Sequence, residues 1–226
     1  MADYIRARTP EQKQERLDAI LAAADAVFAR QPYHTITMGT IASELGWSRS
    51  NLYKYVGTKE EIFLALHSVK NRAWLNDLED ALAGAPLPDI DFAIAWAQVT
   101  ARHVPFLHCQ DLLVTVIEPN VSLERLVQFK RDFVDMAMPI CDILMAQCDI
   151  SREQAIRLYV RLLYEAPPLC QHFHIAEKAR EAERLAGFPS RSGSFADAYA
   201  DFTAVCLAII GQQVPQFPAF FPGPQE

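Results

Sequence analysis

The sequence lacks most of what would mark it as a membrane protein, a disulfide scaffold or an enzyme. No apolar run approaches the roughly 18 residues that a membrane span needs. The opening MADYIRARTPEQKQE is charged and has no apolar signal core, so a cytoplasmic protein is expected. Cysteine is sparse and odd in number: Cys109, Cys141, Cys148, Cys170 and Cys206, with wide spacings and no Cys-x-x-Cys. That pattern argues against a disulfide framework and favours buried free thiols. Glycine, at 8 of 226 residues, is unremarkable for a globular chain, and no glycine-rich phosphate loop occurs. No nucleophile–base pair stands out, so neither catalysis nor a cofactor is expected. Runs of alternating Val, Ile and Thr bounded by turns are missing, which leaves no sheet to propose. No internal repeat is visible.

Positive charge is also in deficit. The net charge is −7, which argues against binding nucleic acid along the whole chain. The deficit is uneven. Residues 1–59 carry eight Lys/Arg against six Asp/Glu, a balance of +2, which leaves −9 for the remainder. A mildly basic head on an acidic body suits a small polyanion-binding module joined to a larger domain.

What is present is helix, almost throughout. About nine helices are expected, near 10–30, 37–45, 48–56, 58–83, 90–103, 105–118, 122–147, 151–184 and 194–213. Thr9-Pro10-Glu11-Gln12, Thr58-Lys59-Glu60-Glu61 and Ser151-Arg152-Glu153-Gln154 are capping boxes. Thr37 and Ser48 are further N-caps, and Gly46 and Gly57 are stops. Pro139 and Pro167-Pro168 lie inside helical patterns, so kinks or breaks are expected there. The Pro/Phe-rich tail 215–226 cannot be regular helix.

The short pair 37–45 and 48–56 reads as a helix-turn-helix. Isolated helices of this length are unstable, so they must pack on helix 10–30 and the start of helix 58–83. Ile41, Leu45, Leu52 and Val56 would close that small core. The second helix would lead with Ser48, Arg49, Ser50 and Asn51, followed by Tyr53, Lys54 and Tyr55. Such a helix suits the roughly 12 Å wide major groove. Arg49 fits guanine, and Asn51 fits adenine or phosphate. Thr37, Tyr53, Tyr55 and Lys59 would hold the DNA backbone.

Residues 35–64, TITMGTIASELGWSRSNLYKYVGTKEEIFL, resemble the DNA-binding domain of TetR-family transcriptional regulators. Thr37, Ile41-Ala42, Gly46, Ser48, Leu52-Tyr53 and Lys59-Glu60-Glu61 carry the resemblance. Trp47 stands where a small aliphatic is usual, and Val56 where Phe is usual. The resemblance implies an all-α protein with a DNA-binding domain over 1–57 and a linking helix 58–83. It also implies a ligand-binding and dimerisation domain over 58–214. A homodimer through the last two long helices, a double-stranded DNA operator and a small-molecule effector follow as its expected partners.

The last helix supports that expectation, because it is apolar on two faces and needs two neighbours. For the effector, Trp74, Trp96, Thr100, His103, Phe133 and Tyr164 are the candidate lining residues of an apolar cavity. A metal site among His103, His108, Cys109, Glu118, Glu165, Cys170, His172 and His174 is not expected. His103 and His108 are five apart, off one helical face, and His172 and His174 point to opposite sides. The reading is a repressor released from a palindromic operator by a small apolar or aromatic molecule. Its rival is a helical small-molecule or metal-binding sensor that acts as an activator or co-regulator through protein partners.

Overall fold

The computed structural model describes residues 9–189 and 192–210. The tail 215–226 lies outside them. Among the described residues there are ten α-helices and no strand. They are α1 (Pro10–Phe28), α2 (Met38–Glu44), α3 (Arg49–Leu52), α4 (Lys59–Leu82), α5 (Asp89–Arg102), α6 (Val104–Leu112), α7 (Leu123–Cys148), α8 (Arg152–Phe173), α9 (Glu177–Leu185) and α10 (Phe195–Ile210).

Local chemistry sets the helix starts. Thr9 Oγ1 accepts from Gln12 N at 3.3 Å, with Pro10 in the first turn, where a missing N–H costs nothing. Thr37 and Thr40 exchange side-chain and backbone bonds in a complete capping box. Ser48 accepts from Asn51 N, Thr58 from Glu61 N, and Ser151 from Gln154 N. Each bond satisfies an N–H with no partner inside its helix.

Helix ends follow the sequence less closely. The second short helix is regular only over Arg49–Leu52, and turn-type bonds carry the chain to Val56. The expected helix 105–118 stops at Leu112. It continues as a wide π-type turn, Leu113–Ile117, and a 3₁₀ turn, Glu118–Asn120. The β-branched run Val114–Ile117 followed by Pro119 disfavours the α form there. Pro167 and Pro168 do not break α8. It runs on to Phe173, and the single helix expected over 151–184 divides instead at 174–176. Residues Leu163, Ala166, Pro167 and Cys170 are buried on one face, so packing offsets the two missing N–H groups. The exposed helix α9 buries nothing.

The chain forms two compact units. The first is Met1–Asp77 with His103–Met138. Its core joins Ile20, Ala24 and Val27 of α1 to Ile41, Leu52, Ile62 and Phe63, and takes in Cys109, Ile117 and Phe129. Phe63 anchors it, with Phe28 and Tyr33 packed edge-on at 5.2 and 4.8 Å. Burying each such large apolar side chain contributes about 1.5–3 kcal/mol, which lets the four-residue α3 persist. Lys70 Nζ and Asp25 tie α4 to α1 at 2.8 Å.

The second unit is Leu78–Arg102 with Pro139–Glu226. Helix α10 packs against α5 and α8. The buried Tyr199 hydroxyl donates to the Leu162 carbonyl at 2.6 Å and accepts from Trp96 Nε1 at 3.2 Å. Gln147 stitches the break after α4. Its Nε2 donates to Leu82 O at 2.8 Å, and its Oε1 accepts from Leu87 N at 2.9 Å. Four of the five cysteines are buried and Cys148 is half-buried; all five are free. Burial pushes the Cys109 thiol up to about 12 and Cys141, Cys148 and Cys170 to about 11, so they stay protonated and unreactive at neutral pH.

Candidate nucleic-acid interface and effector residues

The helix-turn-helix depends on one sharp reversal after α2. Gly46 takes φ +67°, the left-handed conformation that a Cβ disfavours. Gly46 N then donates to Ser43 O at 3.0 Å, and Trp47 N to Ala42 O at 2.8 Å, which completes a Schellman stop. The Trp47 ring lies 5.6 Å from Tyr55, with the Arg16 guanidinium 5.5 Å from it on α1. The larger residue at 47 is therefore accommodated by a cation and a second ring.

From that turn, α3 presents Ser48, Arg49 and Ser50 to solvent, with Tyr53 and Lys54 exposed just beyond. Ser48 and Ser50 hydroxyls are 3.0 Å apart. Tyr53 is 48 % exposed, high for a ring that fills no gap in the core. Thr37 is exposed at the start of α2. Gly39 drew no notice in the sequence. A Cβ there would meet Thr37 Oγ1 at 3.4 Å and Arg49 Cδ at 3.7 Å, ordinary van der Waals contact, which places the Arg49 stem beside the first turn of α2.

Three of the nine expected DNA contacts are placed differently. Asn51 is only 7 % exposed and faces into the unit, so it does not lead the helix into solvent. Tyr55 is half-buried against Trp47. Lys59 Nζ donates to Ile36 O at 2.9 Å and Tyr33 O at 3.3 Å, and sits 3.9 Å above the Tyr33 ring. Tyr33 in turn donates to Glu60 at 2.9 Å, and its phenol is pushed above its ordinary range by burial and by that carboxylate. Lys59 thus fastens the start of α4 to the loop that carries Thr37. The spacing showed a lysine at a helix start; the fold shows that its ammonium is engaged by carbonyls of its own chain.

Residues 68–210, more than half of the chain, match the family described as "Tetracyclin repressor-like, C-terminal domain", and residues 20–66 match "Bacterial regulatory proteins, tetR family". The chain belongs to the TetR family. As a member it is a DNA-binding transcriptional regulator and not an enzyme. One curated relative, the uncharacterised HTH-type transcriptional regulator YfiR of Bacillus subtilis, is 40 % identical over 55 residues. That match spans 24 % of this chain and 27 % of the relative. Among solved structures, a TetR/AcrR-family regulator from Thermobifida fusca aligns with TM-score 0.54 at 16 % identity, over 88 % of this chain and 99 % of that one. The fatty acid degradation regulator FadR of Bacillus halodurans aligns with TM-score 0.54 at 13 % identity, over 89 % and 96 %. At those identities the likeness is one of fold. No helix among the described residues is long and apolar enough to cross a membrane.

The six candidate effector residues of this TetR-family regulator divide between the units. Trp74, His103 and Phe133 fall in the first. Trp74 is buried and stacked on Phe106 at 5.0 Å, and His103 Nε2 meets Asp77 at 2.9 Å. Trp96, Thr100 and Tyr164 fall in the second. Trp96 and Thr100 are buried, with Thr100 Oγ1 donating to Trp96 O at 2.8 Å, while Tyr164 is 44 % exposed. An open groove of about 720 Å³ on α7 and a cleft of about 490 Å³ beside α9 are lined by none of the six. No group of three or more His, Cys, Asp or Glu among the described residues is placed to hold a metal.

One polar group of the first unit went unnoticed in the sequence. His67 and Asn71 of α4 and Gln110 of α6 are buried together with aromatic rings. His67 Nε2 and Gln110 Oε1 are 2.7 Å apart. Burial lowers the imidazole to about 4, so His67 is neutral at pH 7. The signal for it was its place in the apolar stripe of α4, one turn after Phe63 and two before Trp74.

Proposed function

We propose that this regulator is a homodimeric repressor that binds a pseudo-palindromic operator and is released by a small apolar or aromatic effector. The observation that carries the reading is the block Ser48-Arg49-Ser50 with Tyr53 and Lys54, exposed on a short helix projecting from a buried core. Arg49 reads a guanine edge in the major groove, while Thr37, Tyr53 and Lys54 hold phosphates. Lys59 and Tyr55 act through the loop and the ring packing that present those groups. Residues 1–57 form the DNA-binding part, and residues 58–214 bind effector and dimerise.

The dimer forms through α8 and α10. Helix α10 buries Tyr199 and Cys206 within its own unit yet leaves Val205 59 % exposed, and α8 leaves Tyr164 outward. A second copy covers both, and places the two heads about 34–36 Å apart on successive major grooves. Effector binds better to the conformer whose heads are wrongly spaced, and so lowers operator affinity. The protein works in the cytoplasm, where its DNA is.

The test is a footprint on the DNA that flanks the protein's own gene, followed by a binding series over operator variants. Protection of a two-fold site is expected, and Arg49→Ala is expected to relax preference at one base pair per half-site by about 1–3 kcal/mol. Affinity and base preference both unchanged in Arg49→Ala would remove Arg49 from the interface.

A further inference from the structure

Three buried side-chain atoms of the first unit make no hydrogen bond among the described residues, and they lie one turn apart on α4. They are His67 Nδ1, Asn71 Nδ2 and Asn71 Oδ1, on two residues with 0 % exposure. Leaving such an atom unmet costs about 1–3 kcal/mol, so native interiors hold few of them. Several other buried polar side chains meet partners. Thr203 bonds back to its helix, and Gln147 makes bonds through both amide atoms.

The surroundings state what would satisfy the three atoms. Gln110 Oε1 can only accept, so His67 Nε2–H donates to it and Nδ1 is left as a bare acceptor. Asn71 offers a donor and an acceptor beside it. Around them stand rings. The His67 imidazole is 5.4 Å from Phe106, 5.4 Å from Phe129 and 6.3 Å from Phe133. Trp74, one turn beyond Asn71, stacks on the same Phe106. Residues 67, 71 and 74 share one helical face, so Asn71 lies between two side chains that both contact Phe106.

We propose that His67, Asn71 and Gln110 form the polar end of the effector site, and that the site takes an uncharged aromatic molecule bearing one hydroxyl or carboxamide group. This rests on the effector-binding reading above and deepens it. A hydroxyl donates to His67 Nδ1 and accepts from Asn71 Nδ2, and a carboxamide does the same while also meeting Asn71 Oδ1. The rings of Phe106, Phe129 and Phe133 hold the aromatic body. A carboxylate is rejected because a neutral imidazole and two amides give it no compensating charge. The nearby Lys130 is felt at the imidazole, but it is exposed on α7 and ion-paired with Glu118, so its charge is largely compensated and screened. An ammonium is rejected for the same lack of a counter-ion. A buried water would answer some of the same hydrogen bonds, and the titration below separates it from an aromatic ligand.

The test is calorimetric titration of the full-length protein with phenol, benzamide, benzoate and benzylamine, with operator binding measured separately by fluorescence anisotropy. Phenol or benzamide is expected to bind at least tenfold more tightly than benzoate and benzylamine. Asn71→Leu, close in volume and unable to hydrogen-bond, is expected to weaken the bound probe about tenfold, the worth of one good hydrogen bond. In wild-type protein the imidazole ¹⁵N spectrum should shift at His67 Nδ1 on adding the probe. That measurement stands even if Asn71→Leu does not fold. No heat with phenol or benzamide, equal binding of benzoate, or an Nδ1 signal that does not move would each overturn the inference, the last leaving an internal water only. Those failures leave operator binding intact. Loss of the regulator reading shows instead as no operator binding by a protein that still takes up the probe.

Discussion

The His67 imidazole makes a quantitative prediction about acid stability. Burial is the main cause of its low pKa, and the positive charge of Lys130 works in the same direction, while the Gln110 hydrogen bond works against both. The folded value is about 4 against 6.5 for an ordinary imidazole. The stabilisation is complete above pH 6.5, where neither state binds the proton. Between 6.5 and 4 the unfolded chain is protonated and the folded chain is not, so stability falls as pH falls. At pH 5 the loss is about 2 kcal/mol relative to pH 7.5, and below pH 4 it levels off at roughly 3 kcal/mol. Urea unfolding from pH 7.5 to 4.5, on wild type and His67→Gln, isolates it. Gln keeps a partner for Gln110 and does not titrate. The variant's curve is expected to be flatter by about 2 kcal/mol at pH 5, equivalent to about 4–8 °C in melting temperature. Parallel curves for the two proteins would show that the imidazole is accessible to protons in the folded state, and would refute the burial argument.

Two further outcomes concern the DNA-binding head. Gly46→Ala adds a Cβ that meets no atom within 4 Å, so its cost is the left-handed backbone alone, about 1–2 kcal/mol. The variant's urea midpoint should fall accordingly, and an unchanged midpoint would mean that the turn relaxes to another form. Lys54 and Lys59 should separate by salt dependence. Lys54→Ala is expected to lower the slope of log K against log salt by about one unit, as the loss of a phosphate contact does. Lys59→Met should weaken operator binding with the slope unchanged, because its ammonium is bonded to Tyr33 and Ile36 carbonyls. A matching fall in slope for Lys59→Met would place that ammonium on a phosphate instead.

The features that could be read from the sequence are those whose cause lies within four residues. Thr9, Thr37, Ser48, Thr58 and Ser151 each start a helix by a bond to the third residue on, and Gly46 stops one by its own φ. The break expected at Pro167-Pro168 failed because it depends on distant residues. The buried face of α8 keeps the helix continuous through both prolines, and the chain parts at His174, whose N–H bonds to Cys170 and Gln171. The same division runs through the functional residues. Arg49 was legible as exposed because a one-turn helix has few ways to face. The tie of Lys59 to the preceding loop was not legible because its partners, Tyr33 and Ile36, stand 26 and 23 residues earlier. His67 and Asn71 show the most instructive form of the problem. Polar residues four apart on a helix ordinarily mark its wet face, yet here they continue the stripe of Phe63 and Trp74, and all four are fully buried. A polar pair inside an apolar stripe conflicts with burial unless something meets it. Gln110 meets one nitrogen from 43 residues away. The atoms it leaves unmet, His67 Nδ1 and both Asn71 amide atoms, find no hydrogen-bond partner among the described residues, so no pattern of spacing within the chain could have announced what satisfies them.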